Sequence, residues 1–179
     1  MRITGGSLCG IQVKVPPGVI RPSMDRMRES VFAVLGDLTG LSFCDIFSGS
    51  GIIALEAASR GASFIEAVES DPLKRKILLS NAALSPVRIN CRFMSAELYI
   101  THAKRNFDIV FLDPPFSYSY TKELLESLAV SKAVSNETSI LIHHQCDDVQ
   151  IKDVSRIIVA DRRIYGRSVV DFLKIKSEN

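Results

Sequence analysis

Two short stretches of this chain combine residue types able to do chemistry. The first is "IVFLDPPFSYSY", Ile109 to Tyr120, an apolar run that ends in Asp113, Pro114, Pro115 and Phe116. Two consecutive prolines stop a strand, because neither offers the N–H that a ladder requires, and they stiffen the residues after them. A carboxylate held beside an aromatic ring at such a tip suits the grip of something flat and polar. The second is "DIFSGSG", Asp45 to Gly51. Gly49 and Gly51 allow positive φ and a close approach of backbone to a ligand. Glu69 closes the next apolar run about 20 residues on, the place where doubly wound nucleotide-binding folds hold ribose hydroxyls. A lone GxG often makes only a tight turn, and an acid after a second strand is common by chance. Together, in a strand–loop–helix–strand context, they point to a nucleoside cofactor. "GSGIIA" puts Ala54 at the third position of the dinucleotide fingerprint, which accepts it. Asp45 discriminates between cofactors: a carboxylate buried beside the loop suits a cation and repels a pyrophosphate. S-adenosylmethionine, with its ammonium and sulfonium, is favoured over NAD on charge grounds.

Apolar spacing predicts the scaffold that holds these residues in place. "RITGGSLCGIQVKVPPG" alternates, is broken by Gly5-Gly6 and Pro16-Pro17, and reads as a short β-hairpin that docks or projects without being a core element. "RPSMDRMRESVFAVLG" places Met24, Met27, Val31 and Leu35 at helical spacing and closes at Gly36. Thereafter strands ("LSFCDIFS", "SFIEAVES", "PVRINCRFM", "FDIVFLD", "TSILIHH") alternate with helices ("GIIALEAASRG", "DPLKRKILLSNAAL", "AELYITHAK", "TKELLESLAVSKAV"), the second helix capped by Asp71 with Pro72 in its first turn. Apolar strands alternating with helices predict a mostly parallel sheet covered on both faces. "SRIIVADRRIYG" and "SVVDFLKIK" are separated only by a tight turn at Gly166-Arg167, too short for a parallel crossover, so they form an antiparallel hairpin. The expectation is an α/β, doubly wound fold of about seven strands with an antiparallel C-terminal hairpin. Ligands in such folds sit outside the carboxyl ends of the strands, near the switch point.

The chain has 179 residues, enough for one domain, with residues 1–20 expected as an N-terminal hairpin extension and 21–179 as the main domain. Its composition, 46% hydrophobic and 23% charged, is that of an ordinary globular protein, and a net charge of +2 excludes a polycation. Cys9, Cys44, Cys91 and Cys146 form no CxxC pair, which favours free thiols in a reducing compartment over a disulfide or zinc framework. The N-terminus has no apolar signal region and no run approaches the roughly 20 residues of a membrane span, so a cytoplasmic location is expected. His143 and His144 are adjacent on a strand and point to opposite faces, a poor metal pair; no metal is assigned.

"DIFSGSG" resembles motif I of class I methyltransferases, and "DPPF" resembles the [DNS]-P-P-[YFW] motif IV of enzymes that methylate exocyclic amines. "RPSMDRMRESVFAVLG", "LEAASRGA", "FIEAVESD" and "RRIYGRSVVDFLKI" resemble segments of the RsmD family of bacterial 16S ribosomal RNA guanine-N2 methyltransferases, and the similarity runs from Met1 to about Ile175. The resemblance implies a Rossmann-like class I methyltransferase domain that moves a methyl group from S-adenosylmethionine to guanine N2. It implies that Asp113 and the Pro114 carbonyl accept the two amine N–H groups, held by Pro115, while Phe116 offers a face to a base that has left its stack. Asp45, Phe47, Gly49, Ser50, Gly51 and Glu69 are the implied cofactor residues. Related enzymes often place an acid after strand three to meet the adenine; this chain reads "FMSAEL" there, leaving Ser95 or Glu97, or neither.

For the nucleic acid, Arg21, Arg26 and Arg28 of the N-terminal segment and Arg162, Arg163 and Arg167 of the closing hairpin are candidate phosphate contacts. A solvated charged face is the alternative for the hairpin arginines. The implied partner is 16S rRNA, in an assembling or assembled 30S subunit, met by a monomer without membrane contact. Two rival readings share these residues: an adenine-N6 DNA methyltransferase, disfavoured because no target-recognition domain is visible, and a non-catalytic RNA-binding module on the same fold, disfavoured because the acids and glycines occur together.

Overall fold

A computed structural model describes residues 1–15, 22–146, 151 and 154–176. The helix expected from the methionine and valine spacing is α1 (Pro22–Leu35), ended by Gly36 at φ 72°. The alternation after it is β1 (Ser42–Ile46), α2 (Ile52–Ser59), β2 (Phe64–Val68), α3 (Arg75–Ala82), β3 (Ile89–Arg92), α4 (Ala96–Thr101), β4 (Ile109–Leu112), α5 (Thr121–Ala129), β5 (Ser139–Gln145), β6 (Ile157–Tyr165) and β7 (Ser168–Ile175). Asp71 does cap its helix, accepting from the Leu73 N–H at 2.9 Å, but the first turn, Pro72–Lys74, is 3₁₀ and α3 proper begins at Arg75. The α5 pattern stops short of its expected end. Both the N–H and the hydroxyl of Ser131 bond the Leu128 carbonyl, which closes the helix there.

The sheet has seven strands in the order β3-β2-β1-β4-β5-β7-β6. β1 to β5 are parallel, and β7 runs antiparallel between β5 and β6, as the short turn required. The chain moves outward from β1 through β2 to β3, then returns to β4 on the other side of β1. That reversal opens a crevice at the carboxyl ends of β1 and β4. Register fixes what meets there: Ile46 pairs with Leu112, and the Asp113 N–H bonds the Ile46 carbonyl at 3.2 Å. Alternate residues of the strands feed two separate cores. Phe43, Ile65, Phe111 and Leu141 pack with α1, α2 and the N-terminal segment, whereas Cys44, Ile46, Val110, Leu112 and Ile142 pack with α4 and α5.

The N-terminal segment docks, and it is more deeply set than a hairpin extension. Only Arg2 and Gln12 form a bridge, but Ile3 and Val13 are almost fully buried in the first core. Its backbone is stitched to α2 and α3: Thr4 N–H to Glu56, Ser7 N–H to the Ser59 carbonyl, and Lys14 N–H to Asn81 Oδ1 at 3.1 Å. The expected boundary near residue 20 falls outside the described residues; up to Val15 the segment is part of the core on this face.

Candidate active site

The β1 loop is built for close approach. Phe47 adopts φ 66°, rare for a residue with a Cβ, and Gly49 and Gly51 follow at φ 57° and 80°. At Gly51 a Cβ would also fall 2.6 Å from Leu78 Cδ1, which would have to move aside, but the positive φ is what calls for glycine. Two side chains brace the loop from outside. Glu69 accepts the Gly49 N–H at 2.7 Å, and Asn81 donates to the Ser50 carbonyl at 2.7 Å while also holding Lys14. Asn81 carries no sequence signal for this task, since it lies in the last turn of α3 with no motif around it.

Asp45 and Glu69 lie at the ends of neighbouring strands and face one cavity of about 640 Å³. Asp45 is 1% exposed; its Oδ2 accepts from the Ser48 hydroxyl at 2.6 Å and the Ala54 N–H at 3.2 Å, while its Oδ1 is buried with no partner. Burial pushes its carboxyl up to about 7, and the negative charges of Asp113 and Glu69 add to the shift. An orphaned carboxylate oxygen in this setting fits a cationic ligand group and fits a phosphate badly. Glu69 behaves differently. One oxygen holds the Gly49 N–H, the other the Asp71 N–H at 2.8 Å, and the Lys74 ammonium stands 3.7 Å away. Its lone pairs are partly occupied in shaping the loop, and the remainder faces the cavity.

The β4 tip forms the opposite wall. Asp113 is partly exposed, Pro114 is buried, and Phe116 is 37% exposed, all on the cavity. Asp113 Oδ1 lies 2.7 Å from His143 Nδ1. The Phe116 ring stands edge-on to the His143 ring, centroids 6.0 Å apart. His143, expected to do no more than end a strand, is thus in the site; His144 points the other way, to Asp171, as strand alternation requires.

Ser95 sits at the cavity wall as the N-cap of α4, its hydroxyl oxygen accepting the Leu98 N–H at 3.2 Å. Glu97 accepts from the Tyr118 hydroxyl at 2.5 Å, which holds its carboxyl below the usual range. Tyr118 in turn lies edge-on against Phe47 at 5.2 Å, joining the loop after β4 to the β1 loop.

The arginines divide. Arg28 is not a phosphate contact: it is 2% exposed, its guanidinium donates to Glu56 at 2.9 Å and the Arg2 carbonyl at 2.7 Å, and Asp25 stands in ion-pair range at 3.0 Å. It locks α1, α2 and the N-terminal segment together and has no surface from which to reach a phosphate. Arg26 is exposed on the same helix, and Arg21 lies outside the described residues. On the hairpin, Arg162 forks onto the fully buried Asp171 at 2.6 and 2.8 Å. Arg163 pairs with exposed Asp161 at 2.7 Å, and Arg167 is exposed in the turn. Ser168, next to that turn, lines the cavity, so the turn stands at the same end of the sheet as Asp113.

A sheet of this order and connectivity, with a glycine loop after its first strand and an acidic Pro-Pro tip after its fourth, is that of a class I methyltransferase. Residues 1–174 match the family described as Conserved hypothetical protein 95, and the chain belongs to that family, the RsmD family. Among its relatives is Ribosomal RNA small subunit methyltransferase D of Escherichia coli strain K12, 31% identical over 153 residues that cover 83% of this chain and 76% of the relative. Another is the Putative rRNA methyltransferase YlbH of Bacillus subtilis strain 168, 26% identical, covering 97% and 98%. The solved structure of the Putative methyltransferase yhhF from Escherichia coli superposes with a TM-score of 0.88 at 26% identity, covering 99% of both chains. Among the described residues no helix is long and apolar enough to cross a membrane.

Proposed function

We propose that this chain methylates the exocyclic N2 amine of a guanine in 16S ribosomal RNA, using S-adenosylmethionine. The observation that carries the reading is the pairing, across one cavity, of an orphaned buried carboxylate on the glycine loop with a partly exposed carboxylate on a Pro-Pro tip. Asp45 would receive the positive amino-acid end of the cofactor, Glu69 its ribose hydroxyls, and the loop from Phe47 to Gly51 its close-packed backbone contacts. S-adenosylmethionine supplies a methyl carbon on a sulfonium sulfur, and the C–S bonding electrons leave with the thioether.

The protein's part is alignment and charge. An exocyclic amine is a poor nucleophile because its lone pair is delocalised into the ring. Asp113 and the Pro114 carbonyl, accepting its two N–H bonds, draw the nitrogen toward tetrahedral geometry and stabilise the positive charge it gains; Asp113 also receives the surplus proton. Phe116 provides the face on which the unstacked base rests. Arg26, Arg163 and Arg167 would hold backbone phosphates around the opening. A net charge of +2 gives little non-specific pull on free RNA, which supports a substrate presented on the assembling small subunit to a single copy of the enzyme.

Mass mapping of 16S rRNA from cells carrying the native chain or the Asp113→Ala variant tests this. One guanine should lose its methyl group in the variant; a modification pattern identical in both strains removes the assignment. Calorimetric titration should show cofactor bound by both proteins.

A further inference from the structure

His143 lies near the carboxyl end of β5 at 1% exposure, with a ring to which neither the glycine loop nor the strand tip by itself gives a role. Two facts about it are linked. Nδ1 lies 2.7 Å from Asp113 Oδ1, and Nε2 is buried with no hydrogen-bond partner. Together they choose the tautomer. An ionised carboxylate only accepts, so Nδ1 must carry the proton. An N–H at Nε2 would face no acceptor there, so the ring proton that serves the carboxylate sits on Nδ1.

That bond answers a problem set by the strand tip. Backbone pairing fixes where Asp113 starts, with Leu112 opposite Ile142 and the Asp113 N–H on the Ile46 carbonyl. It does not fix the carboxylate plane, because rotation about the terminal sp³–sp² bond is broad. Asp45, buried nearby with the same sign of charge, would push the group away. The same register that ends β4 at Leu112 carries β5 on to His143, alongside Asp113. The geometry points to His143 as a positioning residue for amine methylation. It pins Oδ1 of Asp113 so that Oδ2 is presented to the amine, and through its edge contact with Phe116 it keeps carboxylate and base platform in fixed relation. This inference rests on the proposed role of Asp113, but the pinning itself can be read without catalysis.

The first measurement is long-range proton–nitrogen NMR on the whole protein with ¹⁵N-labelled histidine, His143→Asn identifying the signal among the three histidines. The Nδ1–H tautomer is expected, with its shifts perturbed in Asp113→Asn. An Nε2–H tautomer, or a ring signal unchanged by Asp113→Asn, overturns the pinning whatever the enzyme methylates. The second is kinetic, on the small subunit as substrate. His143→Leu keeps bulk but lacks the donor, and kcat should fall about 10- to 100-fold with the KM for cofactor within about threefold. His143→Asn returns an N–H near the Nδ1 position and should recover most of kcat. Equal impairment in both variants, or full kcat in His143→Leu, refutes the positioning role. A native enzyme that leaves guanine unmethylated instead refutes the function proposed above, with the NMR result still deciding the pinning.

Discussion

Asp45 shows at the scale of one residue how a binding site opposes stability. Its carboxyl is raised from an ordinary 3.8 to about 7, burial being the main cause. The folded protein thus holds this proton more tightly than the unfolded chain, and this group's contribution to stability falls as pH rises from about 4 to about 7. Asp45→Asn removes that loss. The variant should melt above the native protein at pH 8, with the gap closing near pH 4.5, in thermal melts without cofactor. Cofactor binding should move oppositely. A cation wants the ionised form, so native affinity should fall as pH drops below about 7, with proton release on binding in calorimetry at pH 6; in Asp45→Asn the affinity should be low and flat with pH. The acids of the site were legible because each stands at the carboxyl end of an apolar run that composition identifies, Asp45 within β1 and Glu69 and Asp113 just after β2 and β4. His143 was not, because "TSILIHH" assigns its histidines to opposite faces without saying that one face ends at Asp113.

Arg28 and Glu56 act between elements. Both are essentially buried, and Glu56 also takes the Thr4 N–H at 2.7 Å and approaches Arg60 at 3.5 Å. Removing Arg28 leaves buried Glu56 with only the Thr4 N–H and the more distant Arg60, so Arg28→Ala should cost about 3 kcal/mol in urea unfolding. Such a loss, at unchanged RNA affinity of the remaining folded protein, separates this role from the phosphate contact that the arginine-rich segment suggested. Removal of residues 1–15 should behave similarly. It uncovers the core around Ile3 and Val13 and takes Met1 and Val15 from the cavity wall, so the melting temperature should fall and cofactor binding weaken. A truncated protein that binds cofactor at native affinity would show the segment to be the separable extension that its glycines and prolines imply. Those breaks were readable, but not the burial: the alternation of Ile11, Val13 and Val15 does not say which of them is covered, and contact with α2 and α3 makes Ile3 and Val13 core.

Across the whole molecule, the sheet order places the β1, β2 and β4 tips, the β5 end and the β6–β7 turn along one rim, and Arg167 is exposed in that turn. If Arg163 and Arg167 meet phosphates, each alanine substitution should weaken RNA binding uniformly across sequences and lower the slope of log affinity against log salt by about 0.7. Arg162→Ala should instead destabilise the fold, since it exposes the pairing of fully buried Asp171, with the salt slope unchanged; filter binding over a salt series reads both. The strand and helix order, the antiparallel end and the two chemical loops were already set by the chain's own residues, because each depends on apolar period and turn chemistry within a dozen positions. Folding in three dimensions was needed to settle which arginine is buried, which histidine touches the tip, what Asn81 braces and how deep the first residues lie. Those outcomes depend on partners tens of positions apart, as Arg28 is from Glu56 and His143 from Asp113, and local spacing holds no record of the register that joins them.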